Sequence, residues 1–129
     1  MSKLSVVSVI DDDVSVLTAT SRFLRSHGYT VHVFGSAEHF LQSNSLNDSS
    51  CVVADVQMPG MSGLELLTTV RAQGYRVPFI FISAFADGMS RARALTAGAV
   101  CFLPKPFIGL ALINCLGAAL QEHRGEDQT

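Results

Sequence analysis

"CVVADVQMPG", residues 51–60, places one carboxylate, Asp55, at the end of a short apolar run and directly before a Met-Pro-Gly turn. Ending a buried strand on an ionisable group costs free energy unless a partner compensates it. The run is one of five β-rich stretches, at 4–10, 29–34, 51–54, 77–82 and 100–103. Segments of helical length lie between them, with Val14, Leu17, Phe23 and Leu24 spaced along 13–27 and Leu64, Leu67 and Val70 along 63–73. Gly28, Gly74 and Gly98 each follow a helical segment and precede a strand, where a left-handed C′ residue ends a helix. Ser36 suits an N-cap, and Ser62 with Glu65 at N3 forms a capping-box pattern. Repeated alternation of strand and helix predicts an α/β domain: a parallel sheet with right-handed crossovers and helices on both faces. The Ser- and Asn-rich stretch 42–50 reads as the one long polar loop, and the domain is expected to span 1–121, with 122–129 a C-terminal tail or truncated linker.

Composition agrees with a doubly covered sheet. In 129 residues, 48% are hydrophobic and only 16% charged, against a usual charged share of about 25%, and mean hydropathy is +0.34. Strands covered on both faces hide such a surplus. The net charge of -2 and the scattered Lys and Arg provide no basic stripe, so this chain by itself is not expected to bind DNA. No apolar run approaches the ~20 residues of a membrane span, and no signal-peptide layout precedes the first strand, so a cytoplasmic location is expected. Cys51, Cys101 and Cys115 are odd in number and far apart in apolar segments, and read as small buried thiols rather than disulfides or metal ligands.

The functional signal lies in what ends each strand. In an open α/β sheet, ligands sit outside the carboxyl ends of the strands. The first strand runs into "VIDDD", the third into "VVAD", the fourth into "FISA" and the fifth stops just before "PKP". Asp11, Asp12, Asp55, Ser83 and Lys105 therefore fall at one end of one sheet. Each has an ordinary reading alone: an acidic turn, a helix cap at Asp13, a strand-end hydroxyl, a surface lysine. Together, three carboxylates call for a cation, and a hard divalent ion such as Mg2+ (or Mn2+) takes oxygen ligands of this kind. With Ser83 and Lys105 opposite, the gap suits a phosphoryl group that an Asp55 oxygen could attack.

These pieces, "VIDDD", "DVQMPGMSGLELL", "FISA" and "GAVCFLPKPF" in that order, resemble a response-regulator receiver domain of the CheY-like superfamily across residues 4 to about 121. They are most similar to receivers of FixJ- and NarL-type transcription regulators. The resemblance implies a flavodoxin-like doubly wound sheet of five parallel strands in the order 2-1-3-4-5 with five helices. It further implies that Asp55 accepts a phosphoryl group from a cognate sensor histidine kinase, that Asp11, Asp12, Asp55 and the backbone carbonyl of Gln57 hold Mg2+, and that Ser83 and Lys105 contact the phosphoryl oxygens. Ser83 and Phe102 would form the switch, and the Lys105-Pro106 bond would be cis. The readout would be the fourth helix, fifth strand and last helix (90–97, 100–103 and 107–121), controlling a homodimer or an output domain. Such a protein is a self-phosphorylating acceptor rather than an enzyme. The resemblance puts Gln57 and the apolar Phe85 at positions that modulate the lifetime of the phosphorylated state in the family, and Phe85 offers nothing to orient water, so slow self-dephosphorylation is expected.

Two other classes fit parts of the pattern. "DDDVS" matches the DxD of haloacid-dehalogenase-type phosphatases, with Asp11 as nucleophile and Asp13 as acid, but leaves Asp55 unexplained and lacks a later acidic pair in place. A phosphate-independent binding module would keep the pocket unused. The last helix, "PFIGLALINCLGAALQ", has almost no polar face, and such helices are usually covered on both sides. A homodimer or output-domain contact is the expected cover, and relatives of the FixJ type continue into a helix-turn-helix that this chain does not contain.

Overall fold

The computed structural model describes residues 5–84, 88–105 and 109–128, those from 122 onward by backbone alone. Five strands, β1 (Val6–Ile10), β2 (Thr30–Phe34), β3 (Cys51–Asp55), β4 (Phe79–Ser83) and β5 (Cys101–Pro104), alternate with helices α1 (Val14–Ser26), α2 (Ala37–Gln42), α3 (Ser45–Asp48), α4 (Gly63–Ala72), α5 (Gly88–Thr96) and α6 (Gly109–Gln128). All pairings are parallel and the order is β2-β1-β3-β4-β5, as the resemblance implies. The flavodoxin-like α/β fold thus stands, with six helices in place of the expected five.

The sheet is buried on both sides. Every residue of β3 and β4 is buried, which is why both read as unbroken apolar runs rather than alternating ones. Val52, Ala54, Phe79, Phe81 and Phe102 face one core with Phe40 of α2, Leu66, Leu67 and Val70 of α4 and Ala94 of α5. Val7, Val9, Val53, Ile80 and Ile82 face the other with Leu17 and Leu24 of α1 and Leu112, Leu116 and Ala119 of α6.

Local signals hold where the chemistry is short-range. Asp13 caps α1 by accepting from the Ser15 N–H, Ser36 caps α2, and Ser62 with Glu65 makes both bonds of a capping box on α4. Gly28, Gly74 and Gly98 adopt positive φ at the helix ends. Two expectations fail. The polar stretch 42–50 contains α3, one turn pinned by buried Leu46; four residues are too few for a periodic signal. The cysteines are not three buried thiols: Cys51 is buried and free, whereas Cys101 and Cys115 are half-buried and paired as a disulfide, their Cα atoms 6.2 Å apart. They are 14 residues apart in sequence, and the packing of α6 beside β5 brings them together.

The apolar character of α6 also resolves in part. Leu112, Leu116 and Ala119 form the buried stripe, while Asn114, Gly117, Ala118 and Gln121 are exposed. Leu110, 71% exposed, is the one large hydrophobic on its outer side among the described residues. The backbone of α6 continues to Gln128. No helix among the described residues is long and apolar enough to cross a membrane.

Candidate functional site

Register carries the site residues to one place. Ile10 pairs with Ala54, so Asp11, the next residue after β1, lies beside Asp55 at the end of β3. Ser83 ends β4 opposite Pro104, so Lys105 emerges from β5 beside it, its backbone N–H donating to the Ser83 carbonyl at 2.8 Å. The Lys105 ammonium then donates to both carboxylates, 2.9 Å from Asp11 Oδ2 and 2.8 Å from Asp55 Oδ2. Asp11 Oδ1 accepts from the Asp13 N–H at 2.9 Å, and Asp55 Oδ1 from the Gln57 N–H at 3.1 Å. Asp11, Asp55 and Ser83 are buried, at 2%, 7% and 1% exposure; Asp12 is exposed.

One ammonium cannot compensate two buried carboxylates. Burial pushes the Asp11 carboxyl above its usual range and the neighbouring Asp55 charge adds to this, against the Asp13 N–H and Lys105, which favour the anion. Lys105 is held above the usual lysine range: burial opposes its charge, but Asp55 and Asp11 together outweigh that. Carboxylate oxygens of Asp11, Asp12 and Asp55 all come within 4.8 Å of one another. An all-oxygen set with surplus negative charge, open on the Asp12 side, fits a hard divalent cation.

The turn after Asp55 is braced from two directions. Gly63, the first residue of α4, donates to the Val56 carbonyl at 2.9 Å, and a Cβ there would collide with the Asp55 carbonyl and lie 2.9 Å from Phe81 Cε1. On the other side the Glu38 carboxylate of α2 accepts from the Met61 N–H at 2.9 Å, and that bond lowers the Glu38 carboxyl below its usual range. Sequence reading missed Glu38, because nothing local marks a contact between residues 23 apart. Phe102 is buried at 3% exposure, paired in register with Phe81, and its carbonyl accepts from Arg91 at 3.3 Å. Phe85 and Pro106, hence the expected cis bond, lie outside the described residues.

A buried strand-end carboxylate thus stands beside an acidic pair and a lysine on a five-stranded parallel sheet, and comparison with known proteins assigns the class of domain. Residues 7–116 match the family model described as "Response regulator receiver domain", and the chain belongs to that family. It is 40% identical over 119 residues to the response regulator protein TodT of Pseudomonas putida, covering 92% of this chain and 52% of that protein. It is 38% identical over 125 residues to the transcriptional regulatory protein FixJ of Azorhizobium caulinodans, covering 94% and 59%. The solved structure of the response regulator StyR superposes with a TM-score of 0.88 at 39% identity, covering 98% of this chain and 64% of that one. The chain thus spans about half the length of the curated relatives it matches. It is a receiver domain of two-component signalling, similar to those of transcriptional regulators, and its family is one of signalling proteins rather than phosphatases.

Proposed function

We propose that Asp55 accepts a phosphoryl group from the phosphohistidine of a cognate sensor histidine kinase. One Asp55 oxygen forms the new P–O bond as the P–N bond breaks, and the leaving imidazole takes up a proton. The Lys105 ammonium shifts from its two carboxylates to the phosphoryl oxygens, and the Ser83 hydroxyl donates to another of them. Asp11, Asp12, Asp55 and the Gln57 carbonyl would hold Mg2+ or Mn2+, which supplies neutralising charge to the phosphoryl oxygens. The observation that carries this reading is the single ammonium shared between buried Asp11 and Asp55 beside a third carboxylate.

Phosphorylation adds a charge of about -1.5 to -2 and three acceptor oxygens. A modification shifts a two-state equilibrium only through its different interaction with the two states. Here Ser83 and Lys105 favour the state in which they reach the phosphoryl group, and Phe102, exchanging between its buried position and an outward one, follows. The surface of α5, β5 and α6 reads the change and controls a homodimer or an output domain of the transcriptional kind. Residues 1–121 act as the receiver unit and 122–129 as a C-terminal tail or linker; the similarity to transcriptional regulatory proteins supports a helix-turn-helix as the partner domain. The proposed site of action is the cytoplasm. Phe85 makes self-dephosphorylation slow, and Phe85→Glu should accelerate loss of the phosphoryl group.

The test is intact mass after incubation with Mg2+ and acetyl phosphate or phosphoramidate. One phosphoryl adduct is expected, abolished by Asp55→Asn and by chelation. No adduct on the folded wild type would overturn the reading in favour of a phosphate-independent module, and turnover of a small phosphoester that depends on Asp11 but not Asp55 would favour a phosphatase.

A further inference from the structure

The phosphoacceptor chemistry makes no use of the cysteines, yet two of the three meet on the face proposed as the readout. Cys101 is the first residue of β5, the edge strand; Cys115 lies in the second turn of α6, flanking its buried stripe. Their Cα separation of 6.2 Å falls inside the window of about 4.4–6.8 Å that a bridge requires without backbone movement. Both residues are half-buried at the margin of the core under α1 and α6 rather than enclosed in it. Cys51 is the internal contrast: it is fully buried in β3, and burial pushes its thiol up to about 12, leaving almost no thiolate to react.

We propose that Cys101 and Cys115 form a reversible thiol-oxidation site, and that their bridge fastens α6 to β5. The segment so closed contains Lys105, and a cross-link removes conformations from the chain it closes. The oxidant is a hydroperoxide. One thiolate attacks a peroxide oxygen and the O–O bond breaks, giving a sulfenic acid and water or an alcohol. The second sulfur attacks the sulfenic sulfur; the S–S bond forms, the S–O bond breaks, and the departing oxygen leaves as water with the two remaining protons. Two thiols and one hydroperoxide thus give one disulfide, one water, and a second water or an alcohol. A small dithiol reverses the bridge by exchange. In the bridged form α6 cannot shift or roll against β5. That step rests on reading β5 and α6 as the signalling face, whereas the thiol chemistry does not.

The experiment compares the full chain reduced with dithiothreitol and the same chain after brief exposure to hydrogen peroxide. Intact mass should fall by two hydrogens, peptide mapping should find Cys101 joined to Cys115, and Cys51 should take up alkylating reagent only after unfolding. Cys115→Ser and Cys101→Ser should each remove the mass change, and Cys51→Ser should keep it. Hydrogen–deuterium exchange of α6 amides should be several-fold slower in the bridged wild type than in the reduced one. Failure of the bridge to form at peroxide doses that leave methionines intact overturns the proposal. So does a bridge that leaves α6 exchange unchanged. Phosphoryl uptake by Asp55 is read separately by mass in both forms, so a loss of the receiver reading is distinguished from a loss of the thiol site.

Discussion

The carboxyl end of β3 and the flank where β5 meets α6 both hold paired reactive side chains, but they are built on different principles. At the first, each participant ends its own strand or directly follows it, and parallel register alone brings Asp11, Asp55, Ser83 and Lys105 together. At the second, Cys101 and Cys115 meet because a helix folds back on an edge strand at a particular roll. The first kind of site is dictated by topology and survives small shifts in packing. The second depends on how one helix rotates, and is the better place for a device that responds to conformation.

The largest effect should come from Asp55→Asn, which keeps the shape of the strand end but removes the nucleophile. Complete loss of the phosphoryl adduct is expected while peroxide still bridges the cysteines; loss of both together would show the two regions to be one unit.

Lys105→Met should come next. It leaves Asp11 and Asp55 buried without their ammonium, and breaking such an arrangement typically costs about 3 kcal/mol. Urea unfolding in the presence of chelator should show that loss, and added Mg2+ should recover part of it. An undiminished stability with chelator present would mean that the carboxylates do not depend on Lys105.

Gly63→Ala tests the close packing behind Asp55. Alanine is the better helix former by about 1 kcal/mol, but its Cβ has no room between the Asp55 carbonyl and Phe81, and overpacking costs about 1–3 kcal/mol. Because backbone is one of the two neighbours, the clash should win, with a net loss of up to about 2 kcal/mol in denaturant unfolding and a slower rate of adduct formation. A gain in stability would show that α4 can retreat.

The smallest effect should come from Glu38→Gln. The Glu38 carboxyl is lowered by its bond to the Met61 N–H. A group depressed in the folded state contributes stability that is present above its unfolded value of 4.5 and lost as pH falls through the folded one. Stability of the wild type should therefore decline on acidification below about 4.5 slightly more steeply than that of the variant, measured as the difference in urea midpoint across the acid range. Parallel curves would remove Glu38 from the bracing of the acceptor turn.

Legibility in sequence follows the same division. Asp55 was readable because a charge at the end of an apolar strand has few explanations, and Asp11, Ser83 and Lys105 because each repeats that position on its own strand. The caps at Asp13, Ser36 and Ser62 were readable because their bonds close within three residues. Glu38 was not, since its partner comes from another element. The one-turn α3 was not, because Leu46 alone supplies its core contact within a run of polar residues. The cysteine pair was misread because count and spacing carry no information about the roll of α6.

The backbone bond from the Lys105 N–H to the Ser83 carbonyl joins the site's one ammonium to its one hydroxyl through two short stretches of main chain. The cation and the hydrogen-bond donor therefore travel as a single jaw. A displacement of either strand end is in this way passed to the other side of the pocket through the main chain, without repacking of the core.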